Sequence, residues 1–162
     1  MPDQSSAFEQ PKGDAPVFVY TIYIAADIEA VWNGLIAREV TEKYWGRHNV
    51  SDWAKGSLWQ HVRTDGSGIV DIHGQVLKVD PPNKLVVTWN GPEGSPTKEP
   101  DPSVVTYELV ALGPDTKLTV THAKLTEGSV MHNGVTQGWP ALMSNLKSLL
   151  ETGKTLSDDK WG

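Results

Sequence analysis

The chain carries five histidines, His48, His61, His73, His122 and His132, and no cysteine. None of them forms a helical pair at the spacing of an HExxH motif, and no cysteine can supply a thiolate ligand; no metal or other cofactor is expected. Chemistry would then rest on single imidazoles. His122 follows Leu118 and Val120 at alternate positions of a β-pattern, which puts it on a dry face. Two roles suit a histidine there: a core group whose ring nitrogens are bonded to neighbours, or a group that hydrogen-bonds a ligand carbonyl or phenol or moves a proton near neutral pH. Asp71 and His73 stand two apart and share a strand face as a candidate carboxylate and imidazole pair. Trp59 and His61 share a face in the same sense, setting a polar group beside an aromatic wall. No GxSxG elbow, GxGxxG loop or P-loop occurs, so covalent hydrolases of that type and nucleotide binders are excluded.

These side chains need elements to hold them. The apolar-leaning run of residues 16–26 is rich in β-formers and too short to span a bilayer, so it is read as a strand over 17–24, and Asp27 is placed to cap a helix carrying Ile28, Val31, Trp32, Leu35 and Ile36 at helical spacing. Thr41 is read as the cap of a second short helical turn that ends at Gly46 and delivers Tyr44 and Trp45 side by side. Antiparallel strands follow over residues 49–52, 57–63, 68–79, 84–90, 103–112 and 117–124, separated by turn signals rich in Gly, Pro, Asp and Asn. Val105, Tyr107, Leu109 and Ala111 share one face. The sheet's dry face needs a cover, and the remaining long apolar stripe is Trp139, Leu142, Met143, Leu146, Leu149 and Leu150 in a C-terminal helix. Pro140 is expected in the first turn of that helix or at a kink joining it to a preceding turn, and Gly153 at its end.

The 162 residues form one domain on length, over residues 16–154, between a disordered N-terminal tail, 1–15, and a flexible C-terminal tail, 155–162, that includes Trp161. Net charge is −6 with no Lys/Arg stripe, so nucleic acid and anionic membrane surfaces are poor partners, and membrane insertion is not expected. The absence of cysteine and of a signal-peptide pattern fits the cytoplasm. Seven tryptophans supply core volume or flat pocket walls.

The order of elements, with Ile24-Ala25-Ala26 before Val31-Trp32, then Tyr44-Trp45, Ser51-Asp52-Trp53, Asp80-Pro81-Pro82, Thr88-Trp89 and Gly138-Trp139-Pro140 leading to Leu149-Leu150-Glu151-Thr152-Gly153, resembles the START-like (SRPBCC) superfamily. The branch it is similar to is the one named for the activator of the ATPase of heat-shock protein 90, from about residue 17 to 153. The resemblance implies an α+β helix-grip fold: a curved antiparallel sheet of about six to seven strands around a long C-terminal helix, with two short helices after the first strand and a deep cavity between sheet and helix. In that superfamily the cavity takes lipids, sterols, polyketides or other apolar molecules.

The expected ligand-binding set is accordingly Tyr44, Trp45, Trp59, His61, His73, Trp89, Tyr107, His122, Trp139, Met143, Leu146 and Leu150. The polar segment 90–103, with four prolines, is expected to be a mobile loop, either an exposed hairpin extension or a cover for the pocket mouth. Three functions fit this reading. The first is a binder of an apolar or aromatic small molecule, the second a cyclase- or hydrolase-like enzyme using His122 or His73, and the third a chaperone-interacting module of the stress response.

Overall fold

The computed structural model describes residues 15–158; the tail expected over 1–15 falls almost wholly outside them, as does Trp161. The elements are β1 (Phe18–Ile24), α1 (Ile28–Ile36), α2 (Arg38–Trp45), β2 (Arg47–Ser51), β3 (Leu58–Arg63), β4 (Val70–Asp80), β5 (Lys84–Trp89), β6 (Ser103–Leu112), β7 (Asp115–Ala123) and α3 (Val130–Thr152). The strands form one antiparallel sheet in the order β1-β7-β6-β5-β4-β3-β2. Strands β2 to β7 meander, and α1 with α2 carries the chain from β1 at one edge to β2 at the other. Helix α3 lies against β1, α1 and α2, and its Trp139 ring meets those of Trp89, Tyr107 and His122 on the sheet. This is the expected α+β helix-grip architecture. Among the described residues, no helix is long and apolar enough to cross a membrane.

Period two governs the sheet. Leu85, Val87 and Trp89 on β5, Val105, Tyr107 and Leu109 on β6, and Leu118, Val120 and His122 on β7 are all buried, with half-buried or exposed residues between them. Ala111, expected on the same face, is exposed near the turn into β7. At the start of α1 the Asp27 carboxylate accepts from Ala30 N at 2.8 Å, as its position before the first apolar residue requires.

Three expectations are corrected. Thr41 does not cap α2, which begins at Arg38 after Ala37 without a side-chain cap. Inside the helix, the Thr41 hydroxyl instead donates to Arg38 O at 3.2 Å and accepts from Asn49 N at 3.0 Å, tying α2 to β2. Helix α3 does not start near Gly138. Ser129 caps it, accepting from His132 N at 2.9 Å, and it runs continuously through Pro140 to the left-handed Gly153. Pro140 therefore occupies a helix interior, where it cannot donate to the carbonyl one turn back; burial of Met131, Val135 and Trp139 before it, and of Leu142, Met143 and Leu146 after it, holds both halves in one helix. The third is segment 90–103, which is anchored. Asn90 Nδ2 donates to Glu99 O at 3.1 Å, Asn90 Oδ1 accepts from Gly91 N and Glu99 N, and the buried Glu99 carboxylate accepts from Thr126 N at 2.8 Å and Ser129 Oγ at 3.0 Å. A carboxylate at the N-terminus of α3 is also favoured by the helix dipole.

One irregularity shapes the interior. Opposite Trp59 on β3 stands Gly74 on β4, and the Trp59 indole crosses it to donate to Thr88 O on β5 at 2.8 Å. Only glycine permits that crossing: a Cβ on Gly74 would lie 1.9 Å from Thr88 O and 2.6 Å from Trp59 Nε1.

Candidate functional site

Helix α2 ends in Tyr44 and Trp45, and the left-handed Gly46, φ 72°, turns the chain straight into Arg47 of β2. Together with β3, β4, β5 and α3 this corner encloses an open cavity of about 520 Å³. Its inner walls are the rings of Trp45, His61, Trp89 and Trp139. Ring centroids lie 6.3 Å apart for Trp45 and Trp89, 5.5 Å for Trp89 and Trp139, 5.9 Å for Trp45 and Trp139, and 4.7 Å for Trp45 and His61. These are the offset and edge contacts that aromatic quadrupoles favour.

Helix α3 forms the opposite wall with Gly134, Val135, Gly138, Leu142 and Asn145. At Gly134 and Gly138 an added Cβ would meet nothing within 4 Å. Their missing side chains leave volume open. Lys43, Arg47, Asp71, Thr155 and Asp158 make the polar rim, so residues 155–158 of the expected C-terminal tail lie at the mouth. Leu156 N donates to Asn145 Oδ1 at 2.7 Å and holds the tail there.

Within the charged rim, Arg47 and Asp71 form an ion pair. A register shift in the β3 and β4 ladder leaves Asp71 without a strand partner, and its carboxylate accepts from Arg47 Nε at 2.7 Å and from Arg63 Nε and Nη2, both at 2.9 Å. These bonds, Arg63 first, hold its carboxyl below the usual range against the opposing effect of partial burial. Asp71 thus pairs with arginines and not with His73.

Two histidines lie inside, in different situations. His122 is fully enclosed behind Trp139. An indole N–H can only donate, so Trp139 Nε1 at 3.1 Å makes His122 Nδ1 the acceptor. Its proton therefore sits on Nε2, which donates to Ser103 Oγ at 2.8 Å, and Ser103 donates to Trp89 O at 3.1 Å. Both ring nitrogens are spent. Burial, aided by the charge of His132, lowers its pKa to about 3. His61 lines the cavity, and its Nδ1 meets Asn49 Oδ1 at 2.7 Å. Burial, then Arg47, lowers its pKa to about 3 against a smaller opposing effect of Asp71.

Of the residues read from the sequence, the structure brings Tyr44, Trp45, His61, Trp89 and Trp139 to the cavity. Tyr44 fixes itself by donating to Gly34 O at 2.7 Å; burial raises its pKa, so the hydroxyl stays protonated. Trp59 stands behind His61 and with Tyr107 lines a separate void of about 10 Å³, near the size of one water. His122 is sealed off. Met143 and Leu146 are fully buried core, and Leu150 is half-buried near Gly34. His73 pairs with Gln60 in register and so faces away from Trp59 and His61. Reasoning from the sequence missed Arg47 and, on α3, Gly134, Val135, Gly138 and Asn145; the spacing of Gly134 and Gly138, four apart in a helix, is the signal that would have found them.

The family model described as "Activator of Hsp90 ATPase homolog 1-like protein" matches residues 25–151. A comparison with curated proteins finds no match. Among solved structures, CalU16 from Micromonospora echinospora superposes with a TM-score of 0.69 at 21% identity, over 90% of this chain and 79% of that one. PFC0360w, an HSP90 activator from Plasmodium falciparum, gives 0.67 at 22% identity over 83% and 95%. Protein MLL2253 from Mesorhizobium loti gives 0.71 at 25% identity over 84% and 97%.

Proposed function

The chain belongs to the Activator of Hsp90 ATPase homolog 1-like family within the START-like superfamily, and from that premise we propose that it is a small-molecule binding protein whose cavity takes an apolar or aromatic ligand. The observation that carries the reading is the pair Gly134 and Gly138. Glycine inside a helix costs about 1 kcal/mol against alanine. Here two of them stand on the wall of the cavity, where side chains would meet open space. A volume of about 520 Å³ lies in the usual range for small-molecule sites, and an aromatic interior with a polar rim is their usual composition. The cysteine-free sequence suits a cytoplasmic setting.

Acid and base catalysis draws little support from the site. His122 has no nitrogen to offer, and both buried imidazoles are neutral at physiological pH with poor basicity. A chaperone partner rests on the names of relatives alone, at identities that speak only for the fold.

Thermal melting and tryptophan fluorescence against flat aromatics, flavonoid-like polyketides, fatty acids and sterols test the proposal. A ligand at a hundred times its Kd stabilises the native state by about 2.7 kcal/mol, a readable rise in Tm, and quenching is expected from contact with Trp45, Trp89 or Trp139. A cooperative melt that no class shifts would overturn the reading and direct the search to a protein partner.

A further inference from the structure

We propose that His61 is the polar anchor of this cavity and that it selects ligands carrying a hydroxyl on an aromatic ring, a neutral phenol being the simplest. The inference rests on the binding reading above and adds the chemistry of the ligand.

The tautomer follows from the neighbours. Asn49 Nδ2 donates to Leu35 O at 3.3 Å, which turns its Oδ1 toward His61. A carbonyl oxygen only accepts, so the proton of His61 sits on Nδ1. With the ring neutral, Nε2 is left as a bare lone pair. No described residue bonds to it, and it is not among the fully enclosed side-chain atoms of the described residues that lack a hydrogen bond. His61 itself is only 5% exposed and lines the cavity. A buried acceptor with no protein donor, open to the cavity, asks for a donor from the ligand.

The surrounding polar atoms do not compete. Trp59 Nε1 is spent on Thr88 O, Trp89 Nε1 on Met131 Sδ and Trp139 Nε1 on His122; the Tyr44 hydroxyl is spent on Gly34 O, and Asn145 uses both side-chain atoms. Trp45, whose ring lies 4.7 Å from that of His61, has an indole N–H without a bonded partner among the described residues. A hydroxyl both donates and accepts, so it matches this acceptor and donor better than an ether, a ketone or a hydrocarbon. The flat walls favour an aromatic carrier. A carboxylate would bring its lone pairs against that of Nε2. Asp71, on which Arg47 and Arg63 both converge, already takes up the Arg47 guanidinium at the rim.

The test is a titration of the protein with 2-naphthol, 2-methoxynaphthalene and 2-naphthoate, followed by tryptophan quenching. Naphthol is expected to bind about tenfold more tightly than its methyl ether, with naphthoate weakest. In His61→Phe the naphthol preference should fall to about unity while the ether still binds; in His61→Gln, which keeps an acceptor, part of it should return. Equal affinity of the unmodified protein for naphthol and ether overturns the anchor while leaving the cavity reading intact, and needs no variant to fold. Persistence of the preference in His61→Phe also overturns it. If none of the three naphthalenes binds, the anchor falls, and the cavity reading is decided separately by the panel of flat aromatics, fatty acids and sterols.

Discussion

The indole of Trp139 donates to Nδ1 of His122 at 3.1 Å, so a wall of the cavity is oriented from behind by a histidine that never reaches the cavity. The relay continues through Ser103 to the carbonyl of Trp89, joining α3 to β7, β6 and β5.

Replacing that histidine tests the relay. His122→Leu keeps an apolar side chain in the space but leaves the Trp139 N–H buried and unpaired, which costs about 1–3 kcal/mol. Urea unfolding should show that loss, with a changed Trp139 contribution to the emission spectrum. An unaltered midpoint would mean the relay contributes nothing.

The two buried histidines make stability depend on pH with a definite sign. Each has a native pKa of about 3 against an ordinary 6.5. Between those values the unfolded chain binds protons that the native state refuses, so stability falls as pH drops below 6.5 and is indifferent to these groups above it. The slope is at most about 1.4 kcal/mol per pH unit for each histidine. Asp71 and Glu151, whose carboxyls are held low, add their own loss only near and below their ordinary values of 3.8 and 4.5. Unfolding measured between pH 6.5 and 5 therefore isolates the imidazoles. His61→Gln and His122→Gln should each flatten the slope; an unchanged slope in both would refute the assignment.

Much of this could be read from residue order, and the part that could not has a common cause. Alternation correctly assigned Tyr107 and His122 to the inner face, because period two fixes the face. It does not fix depth along the sheet or what a side chain crosses. Trp59 and His61 share a face, yet only His61 reaches the cavity, since Gly74 lets the Trp59 ring lie across β4 toward Thr88. Nor does alternation fix register: His73 lies opposite Gln60 and so faces away from Trp59 and His61. The first half of α3 was hidden because Gly134, Gly138 and Pro140 all have poor helix propensity, and tertiary burial of Met131, Val135 and Trp139 overrides them.

The same glycines separate stability from binding. Gly134→Ala and Gly138→Ala place a methyl in open space and improve helix propensity, so each should raise stability by about 0.5–1 kcal/mol. Gly138→Leu fills the cavity from the same position. It should keep a cooperative melt and lose most affinity for any ligand that the unmodified protein binds. Retained affinity in Gly138→Leu would show that the ligand sits elsewhere.

Gly74→Ala is the complementary case, a single methyl where there is no room. Its Cβ would fall 1.9 Å from the Thr88 carbonyl oxygen and 2.6 Å from Trp59 Nε1, and neither the backbone of β5 nor an indole packed against Trp89 and His61 can move far. Either the Trp59 to Thr88 bond breaks or β4 and β5 separate. The cost should be about 3 kcal/mol, at the upper end for overpacking. Because Trp59 backs His61, the damage should reach the cavity as well, so urea unfolding and naphthol affinity should both weaken in this variant. A stable Gly74→Ala protein with its Trp59 indole hydrogen still protected from exchange would contradict the crossing.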